Sequence, residues 1–231
     1  MRIYYDSLEN LITLPENITR HLTVNHFKPG EQIFIFNHKE EALYKIKEIT
    51  KKAVLEFQKT IRKAREKKYS LTLIQGKLEK NKYDELFKRL TELNVCEYII
   101  VNTEKTKFPK ANIINERLEK IIISATEQSG RLSEFKIKEM PFSELSELIK
   151  KYDKAIVCDF SEGQPRKLKD FLTKENKSYL ILIGPEGGFS TKERSLFKEL
   201  KLPVASLSSL TLRAETAPLF VASVFESELD A

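Results

Sequence analysis

Tyr179-Leu180-Ile181-Leu182-Ile183-Gly184-Pro185-Glu186-Gly187-Gly188-Phe189-Ser190 is the stretch whose reading decides the fold. Its first five residues form an unbroken apolar run, the mark of a strand buried on both faces. A glycine-rich turn follows, and Ser190 with Glu193 makes a capping box that opens a helix running to Leu200. Strand, tight loop and helix in that order are one step of a parallel α/β sheet. Seven glycines serve all 231 residues, and three of them fall between 184 and 188. Glycine lets a ligand approach the main chain closely, and open α/β sheets bind ligands beyond the carboxyl ends of their strands. The loop is neither Gly-x-Gly-x-x-Gly nor Gly-x-x-x-x-Gly-Lys-Ser/Thr, so neither a dinucleotide nor a triphosphate is its natural ligand. An ordinary β-to-α turn is the plainer alternative, and would use one or two of these glycines.

Working outward, the same alternation holds from about residue 69 to the end. Leu71-Thr72-Leu73-Ile74-Gln75, Tyr98-Ile99-Ile100-Val101, Ala155-Ile156-Val157-Cys158 and Val204-Ala205-Ser206-Leu207 read as strands. Tyr83, Leu86, Phe87, Leu90 and Leu93 recur at helical spacing, as do Ile114, Leu118, Ile121, Ile122 and Ala125. Further helical patterns cover Phe142 to Ile149, a short piece from Lys167 to Thr173, and a last helix with Pro218 near its start. Residues 1 to about 58 are different: short strands at Gln32–Phe36, Ala42–Ile46 and Ala53–Phe57, a short helix within Thr13–Leu22, and turns at Lys28-Pro29-Gly30 and Asn37-His38-Lys39. A compact β-barrel is the natural form for these. Between the two patterns lies Lys59-Thr60-Ile61-Arg62-Lys63-Ala64-Arg65-Glu66-Lys67-Lys68, read as a basic linker. It is either a solvated charge run or a strip facing phosphates. The expected domains are therefore 1–68 and 69–231.

The apolar share of 41% is enough for a real core and excludes wholesale disorder. The chain lacks an apolar stretch of the roughly 18 residues that a membrane helix needs, and Met1-Arg2-Ile3-Tyr4-Tyr5-Asp6 is no secretory leader. Cys96 and Cys158 are too few for a disulfide framework or a cysteine zinc site. A reduced, cytoplasmic protein is the expectation. The net charge of +6 is compatible with nucleic acid without demanding it.

Two more clusters carry chemistry. Leu207-Ser208-Ser209-Leu210-Thr211-Leu212-Arg213-Ala214-Glu215-Thr216-Ala217-Pro218 offers hydroxyls and main-chain groups after a strand. Within it, Arg213 and Glu215 can pair with each other, and Thr216 can serve as a helix cap. Thr126-Glu127-Gln128-Ser129-Gly130-Arg131 ends a helix, either as a C-cap glycine behind polar surface residues or as a presentation of Gln128 and Arg131 to a polar substrate. His21, His26 and His38 have no metal-ligand spacing, and the second domain holds no histidine to act as a base. No metal is expected.

Leu182–Ser190 with Glu193, Leu212-Arg213-Ala214-Glu215-Thr216-Ala217, and Glu127-Gln128-Ser129-Gly130-Arg131 together closely resemble the RsmE family of bacterial 16S rRNA uridine-N3 methyltransferases, in the SPOUT superfamily. The resemblance runs along essentially the whole chain, with His21-Leu22 and Lys28-Pro29-Gly30-Glu31 in the order of the family's N-terminal part. It departs where Ser208-Ser209-Leu210-Thr211 replaces a glycine-containing stretch, where Val24-Asn25-His26 replaces a Val-Leu-Arg, and where Glu104-Lys105-Thr106 replaces a Glu-Arg-Ser.

The resemblance implies a trefoil-knotted α/β SPOUT domain behind a small PUA-like β-barrel, acting as a homodimer with the last helix near the interface. It implies S-adenosylmethionine held by Leu182, Ile183, Gly184, Pro185, Gly187, Gly188, Leu207, Ser208, Ser209, Leu210, Leu212, Glu215 and Ala217. Uridine N3 of 16S rRNA in the small ribosomal subunit would attack the sulfonium methyl in line, which calls for alignment and for donors aimed at the charge spreading onto the base. Arg131 and Arg213 are the candidate donors and Gln128 positions the base. Glu186 either takes the N3 proton or orients its loop. Lys59, Arg62, Lys63, Arg65, Lys67 and Lys68 would contact RNA phosphates. The alternatives are a non-catalytic RNA-binding or ribosome-assembly protein, or a knotted methyltransferase acting on tRNA or another rRNA position.

Overall fold

The computed structural model describes residues 1–65, 67–159 and 166–229. It divides into two compact units, Met1–Glu66 together with Thr126–Glu134, and Lys67–Ala125 together with Phe135–Ala231.

The first unit is a five-stranded sheet of β1 (Arg2–Tyr4), β2 (Leu11–Leu14), β3 (Gln32–Phe36), β4 (Glu40–Ile49) and β5 (Ala53–Lys63), with the helix α1 (Glu16–Val24) after β2. Its order is β1-β3-β4-β5-β2, antiparallel except for the β1–β3 pair. Three register shifts interrupt the β4–β5 ladder; shifts of this kind bend and twist a sheet. Ile33, Ile35, Tyr44, Ile46, Leu55, Leu14 and Leu22 fill its core.

Two expectations change here. Thr13 and Leu14 belong to β2, and the helix starts only after Pro15, whose fixed φ suits a helix start. The basic run is no linker up to Lys63, because β5 continues along β4, pairing Lys63 with Glu40 and Arg62 with Glu41. Cross-strand charge pairs replace apolar alternation there, which is why the periodicity lapses while the strand does not.

Glu41 shows how the unit closes on itself. It is 1% exposed and accepts from Arg2 Nε at 2.7 Å and Arg62 Nε at 2.6 Å. Arg62 also donates to the carbonyl of Gly130, Tyr4 N donates to Glu127 Oε1 at 3.0 Å, and His38 Nδ1 lies 3.1 Å from the Leu132 carbonyl. The segment Thr126–Glu134 is thus stitched to the sheet through three side chains, Arg62, Glu127 and His38. Burial pushes the Glu127 carboxyl above the usual range. Replacing a buried carboxylate that two guanidinium groups share leaves those donors unpaired. Both arginines are partly solvated, so Glu41→Ala is expected to cost about 1–3 kcal/mol of stability, read as a lower urea midpoint; an unchanged midpoint would remove this cluster from the forces holding the unit.

The second unit is a six-stranded parallel sheet. Its strands are β6 (Ser70–Gly76), β7 (Glu97–Val101), β8 (Lys136–Met140), β9 (Lys154–Cys158), β10 (Ser178–Ile183) and β11 (Val204–Ala205), in the order β11-β9-β10-β6-β7-β8. Its helices are α2 (Tyr83–Glu92), α3 (Glu116–Ser129), α4 (Leu145–Ile149), α5 (Thr191–Glu199) and α6 (Thr216–Leu229); the last turn of α3, from Thr126, groups with the first unit. One face of the sheet packs Leu86, Phe87, Leu90, Val221 and Phe225, and the other packs Leu145, Phe189 and Phe197. Strands sandwiched this way must be apolar on both sides. The chain lays down β6, β7 and β8 outward, returns to β9, and inserts β10 between β9 and β6. All strands run the same way, so β6, β9, β10 and β11 end along one edge at the point where the order reverses, the place where such sheets bind ligands.

Candidate active site

Alternation along β10 sends Leu182 into the core with Phe189 and Phe197, and Ile183 toward the opposite face. The chain then turns tightly. Gly188 N donates to the Pro185 carbonyl at 2.8 Å, and Gly188 takes a φ of +65°, where only glycine is unstrained. A Cβ on Gly184 would lie 3.0 Å from Gly188 Cα. The expected capping box is present, with Glu193 N donating to Ser190 Oγ at 3.2 Å and Ser190 N donating to Glu193 Oε2 at 2.7 Å. The other carboxylate oxygen of Glu193 accepts from Glu104 N at 2.9 Å, so the buried cap also tethers the loop after β7.

The second wall is the loop after β11. Leu210 N donates to Ser208 Oγ at 3.1 Å and Ser206 Oγ donates to the Ser208 carbonyl at 3.2 Å. The Arg213 carbonyl accepts from Thr216 N and Ala217 N, starting α6. Gln75, fully buried at the end of β6, joins the two walls. Its Nε2 donates to the Ala214 carbonyl at 2.7 Å and lies 3.5 Å from that of Gly184, and its Oε1 accepts from Tyr98 Oη at 2.5 Å. Burial raises the Tyr98 hydroxyl well above its ordinary range, so it stays a donor.

Between the walls is a cavity lined by Cys158, Asp159, Ile183–Glu186, Gly188, Ala205–Ser208, Leu210–Leu212, Ala214 and Ala217. Its lining is mostly main chain, small residues and aliphatic side chains, with the carboxylates of Asp159 and Glu186. The Asp159 carboxylate is held by Arg194 through Nε at 2.6 Å and Nη2 at 3.2 Å. Burial pushes the Cys158 thiol far up, so it is no nucleophile at neutral pH. Such a slot suits a flat heteroaromatic group on aliphatic side chains with main-chain partners at its polar edge.

Residues 65–226 match the RNA methyltransferase domain family, and residues 14–57 match the RNA methyltransferase PUA domain. A ribosomal RNA small subunit methyltransferase E from Rickettsia conorii is 30% identical over 85% of this chain and 81% of its own. The chain belongs to the ribosomal RNA small subunit methyltransferase E family. The family member from Aquifex aeolicus is 29% identical over 97% of this chain and 98% of its own. The crystal structure of the methyltransferase E from Neisseria gonorrhoeae bound to S-adenosyl methionine superposes with a TM-score of 0.82 at 26% identity, covering 98% and 96% of the two chains. The expected fold class, a SPOUT-type α/β unit after a PUA-like one, is the one found.

In this chain, ten of the residues singled out from sequence come together on the cavity: Ile183, Gly184, Pro185, Glu186, Gly188, Leu207, Ser208, Leu210, Leu212 and Ala217. Four others stand off it. Leu182 is in the core, Gly187 faces the Lys105 side chain, Ser209 is outside the lining, and Glu215 accepts from Lys82 Nζ at 2.7 Å. That bond from Lys82 holds the Glu215 carboxyl below its usual range, so Glu215 pairs with Lys82 rather than with Arg213. Arg213 lines a neighbouring cavity with Lys107, Phe108 and Glu186. Arg131 and Gln128 belong to the first unit. Gln128 is exposed, whereas Arg131 is 8% exposed, donating to the Ser133 carbonyl at 2.5 Å and the Glu134 carbonyl at 2.7 Å. Of the basic run, Lys59, Lys63, Arg65 and Lys68 are exposed, Arg62 pairs with Glu41, and Lys67 donates to the Asn94 carbonyl at 2.9 Å.

Sequence reasoning missed Gln75, Gly76 and Asp159. A polar residue closing the apolar run Leu71–Ile74, directly before one of only seven glycines, was the available signal for the first two. Among the described residues, no group of three His, Cys, Asp or Glu side chains is placed to hold a metal, and no helix is long and apolar enough to cross a membrane.

Proposed function

We propose that this chain transfers a methyl group from S-adenosylmethionine to N3 of a uridine in 16S rRNA of the small ribosomal subunit. The cavity where Gly184–Gly188 meets Leu207–Leu212, bridged by Gln75, carries this reading. Its aliphatic walls and main-chain groups fit the cofactor, and Ile183, Gly184, Pro185, Gly188, Leu207, Ser208, Leu210, Leu212 and Ala217 would hold it. Leu182, Gly187, Ser209 and Glu215 shape the loops around them. When bound, S-adenosylmethionine supplies an electrophilic methyl group on a sulfonium.

The chain's own residues supply the rest. The imide N3–H is a weak acid, so its proton needs an acceptor. Glu186 lines both the cofactor cavity and its neighbour, and a carboxylate common to the two supports the base role for it. Arg213, on the neighbouring cavity, donates to the charge developing on the base carbonyls. Arg131, whose guanidinium locks the turn after α3, and Gln128, exposed on the last turn of α3, are the candidates to engage the base. The exposed cations Lys59, Arg62, Lys63, Arg65 and Lys68 hold RNA phosphates, Arg62 while also paired with Glu41, and Lys67 adds its charge beside them. The protein acts in the cytoplasm as a homodimer, with Phe220 of α6, 37% exposed, at the interface.

Incubating the protein with S-adenosylmethionine and unmodified small subunits, then digesting the RNA, is expected to yield 3-methyluridine by mass spectrometry. Its absence, with cofactor binding demonstrated, would move the target elsewhere. RNA affinity is expected to fall linearly with log salt, by about 0.7–0.9 per phosphate neutralised. The double substitution Lys59→Ala, Lys63→Ala should flatten that slope by roughly one to two, measured by anisotropy across a KCl series; an unchanged slope would take the strip out of the interface.

A further inference from the structure

A neighbouring cavity of the α/β unit is lined by Glu79, Lys82, Lys107, Phe108, Glu186 and Thr211–Glu215. It shares Glu186, Thr211, Leu212 and Ala214 with the cofactor cavity. Phe108 is 46% exposed there. An exposed phenylalanine forgoes much of the roughly 1.5–3 kcal/mol that burial of the ring would return.

The loop that carries it is held from three sides. Lys77, 3% exposed, donates to the Pro109 carbonyl at 3.2 Å and the Ala111 carbonyl at 2.9 Å, and pairs with Glu139 at 2.8 Å. Asn102 Nδ2 donates to the Pro109 carbonyl at 3.3 Å. Upstream, Glu193 accepts from Glu104 N, and the bare Cα of Gly187 admits the stem of Lys105, whose Cβ would lie 3.1 Å from any side chain placed there. Burying an ammonium is expensive, and this one is committed to fixing the backbone beside Phe108. A rigid, exposed ring on a cavity edge with cations nearby is how proteins stack and hold an unpaired nucleobase.

We propose that this cavity receives the nucleotide to be methylated, with its base stacked on Phe108, its phosphate on Lys107 and its carbonyl edge toward Arg213. The proposal rests on the methyl-transfer reading above and adds the residue that seats the substrate. The shared wall then brings the base up to the cofactor cavity beside Glu186. Because any base offers a π-face, Phe108 contributes affinity rather than a choice between bases.

Steady-state methylation of unmodified small subunits tests it with Phe108→Ala, Phe108→Tyr and the unaltered protein. Phe108→Ala is expected to lower kcat/KM for the subunit about 5- to 150-fold, chiefly through KM. Its affinity for S-adenosylhomocysteine by calorimetry and its melting midpoint should stay at the unaltered values, and Phe108→Tyr should restore activity. Unaltered kcat/KM in Phe108→Ala would overturn the base seat while leaving the reaction standing. So would failure of Phe108→Tyr to restore activity. If the unaltered protein leaves no methyl group on the RNA, the reaction falls and the base seat with it.

Discussion

Gly76→Ala is expected to weaken S-adenosylmethionine binding about 5- to 150-fold. Gly76 ends β6 directly beneath the cofactor loop, and a Cβ there would stand 2.6 Å from Pro185 N and closer still to Pro185 Cδ. Neither atom can yield alone, because the Pro185 ring is rigid and its carbonyl closes the turn to Gly188 N at 2.8 Å. The strand cannot retreat either, since β6 is paired on both sides, to β10 and to β7. Overpacking of this kind costs about 1–3 kcal/mol, and each 1.4 kcal/mol is tenfold in affinity. The loss should fall on the loop rather than on the whole sheet, so the calorimetric Kd for the cofactor should change more than the urea midpoint. An unchanged Kd would detach the Gly184–Gly188 turn from cofactor binding.

Gln75→Met is the second large effect. The side chain keeps its length and loses both polar ends, leaving the Ala214 carbonyl and the Tyr98 hydroxyl without the partners they have now. Unpaired buried groups cost about 1–3 kcal/mol each, so the melting midpoint should drop and cofactor affinity should fall as the two walls lose their tie. Gln75→Glu separates the two bonds. An ionised Glu still accepts from Tyr98 but has nothing to donate to Ala214, and a full charge at that depth should raise its pKa. Its affinity should therefore recover as pH is lowered, while that of Gln75→Met stays flat. Equal behaviour of the two variants across pH would show that the Ala214 bond does not control the cofactor walls.

The parts of this architecture that the chain announces are those set by neighbours in sequence. Tyr179–Ile183 reads as a strand because both its faces are buried, and Ser190 with Glu193 reads as a cap because the two are one helical turn apart. The glycines at 184 and 188 are legible for the same reason, as the loop they bound is five residues long. What escaped depends on partners far away. β8, Lys136–Met140, is a sheet edge with mixed Lys, Ile and Glu, so no apolar run marks it. β5 outlasts its apolar residues because Glu40 and Glu41 face its lysines and arginines. Glu215 has a near neighbour in Arg213, yet its carboxylate goes to Lys82, 133 positions earlier.

The discontinuous first unit also sets a schedule for synthesis. Its sheet is complete in sequence at Lys63, but the segment that accepts from Tyr4 N and from Arg62, Thr126–Glu134, leaves the ribosome only after β6, β7 and most of α3 have been made. At roughly 5–20 residues per second, that is a wait of about 4–14 s. During it, Glu41 already has both its arginines, while Glu127 and the Gly130 carbonyl are not yet there. A nascent chain halted near residue 110 should therefore carry a sheet that proteases still open at β1, and one released past residue 134 should not.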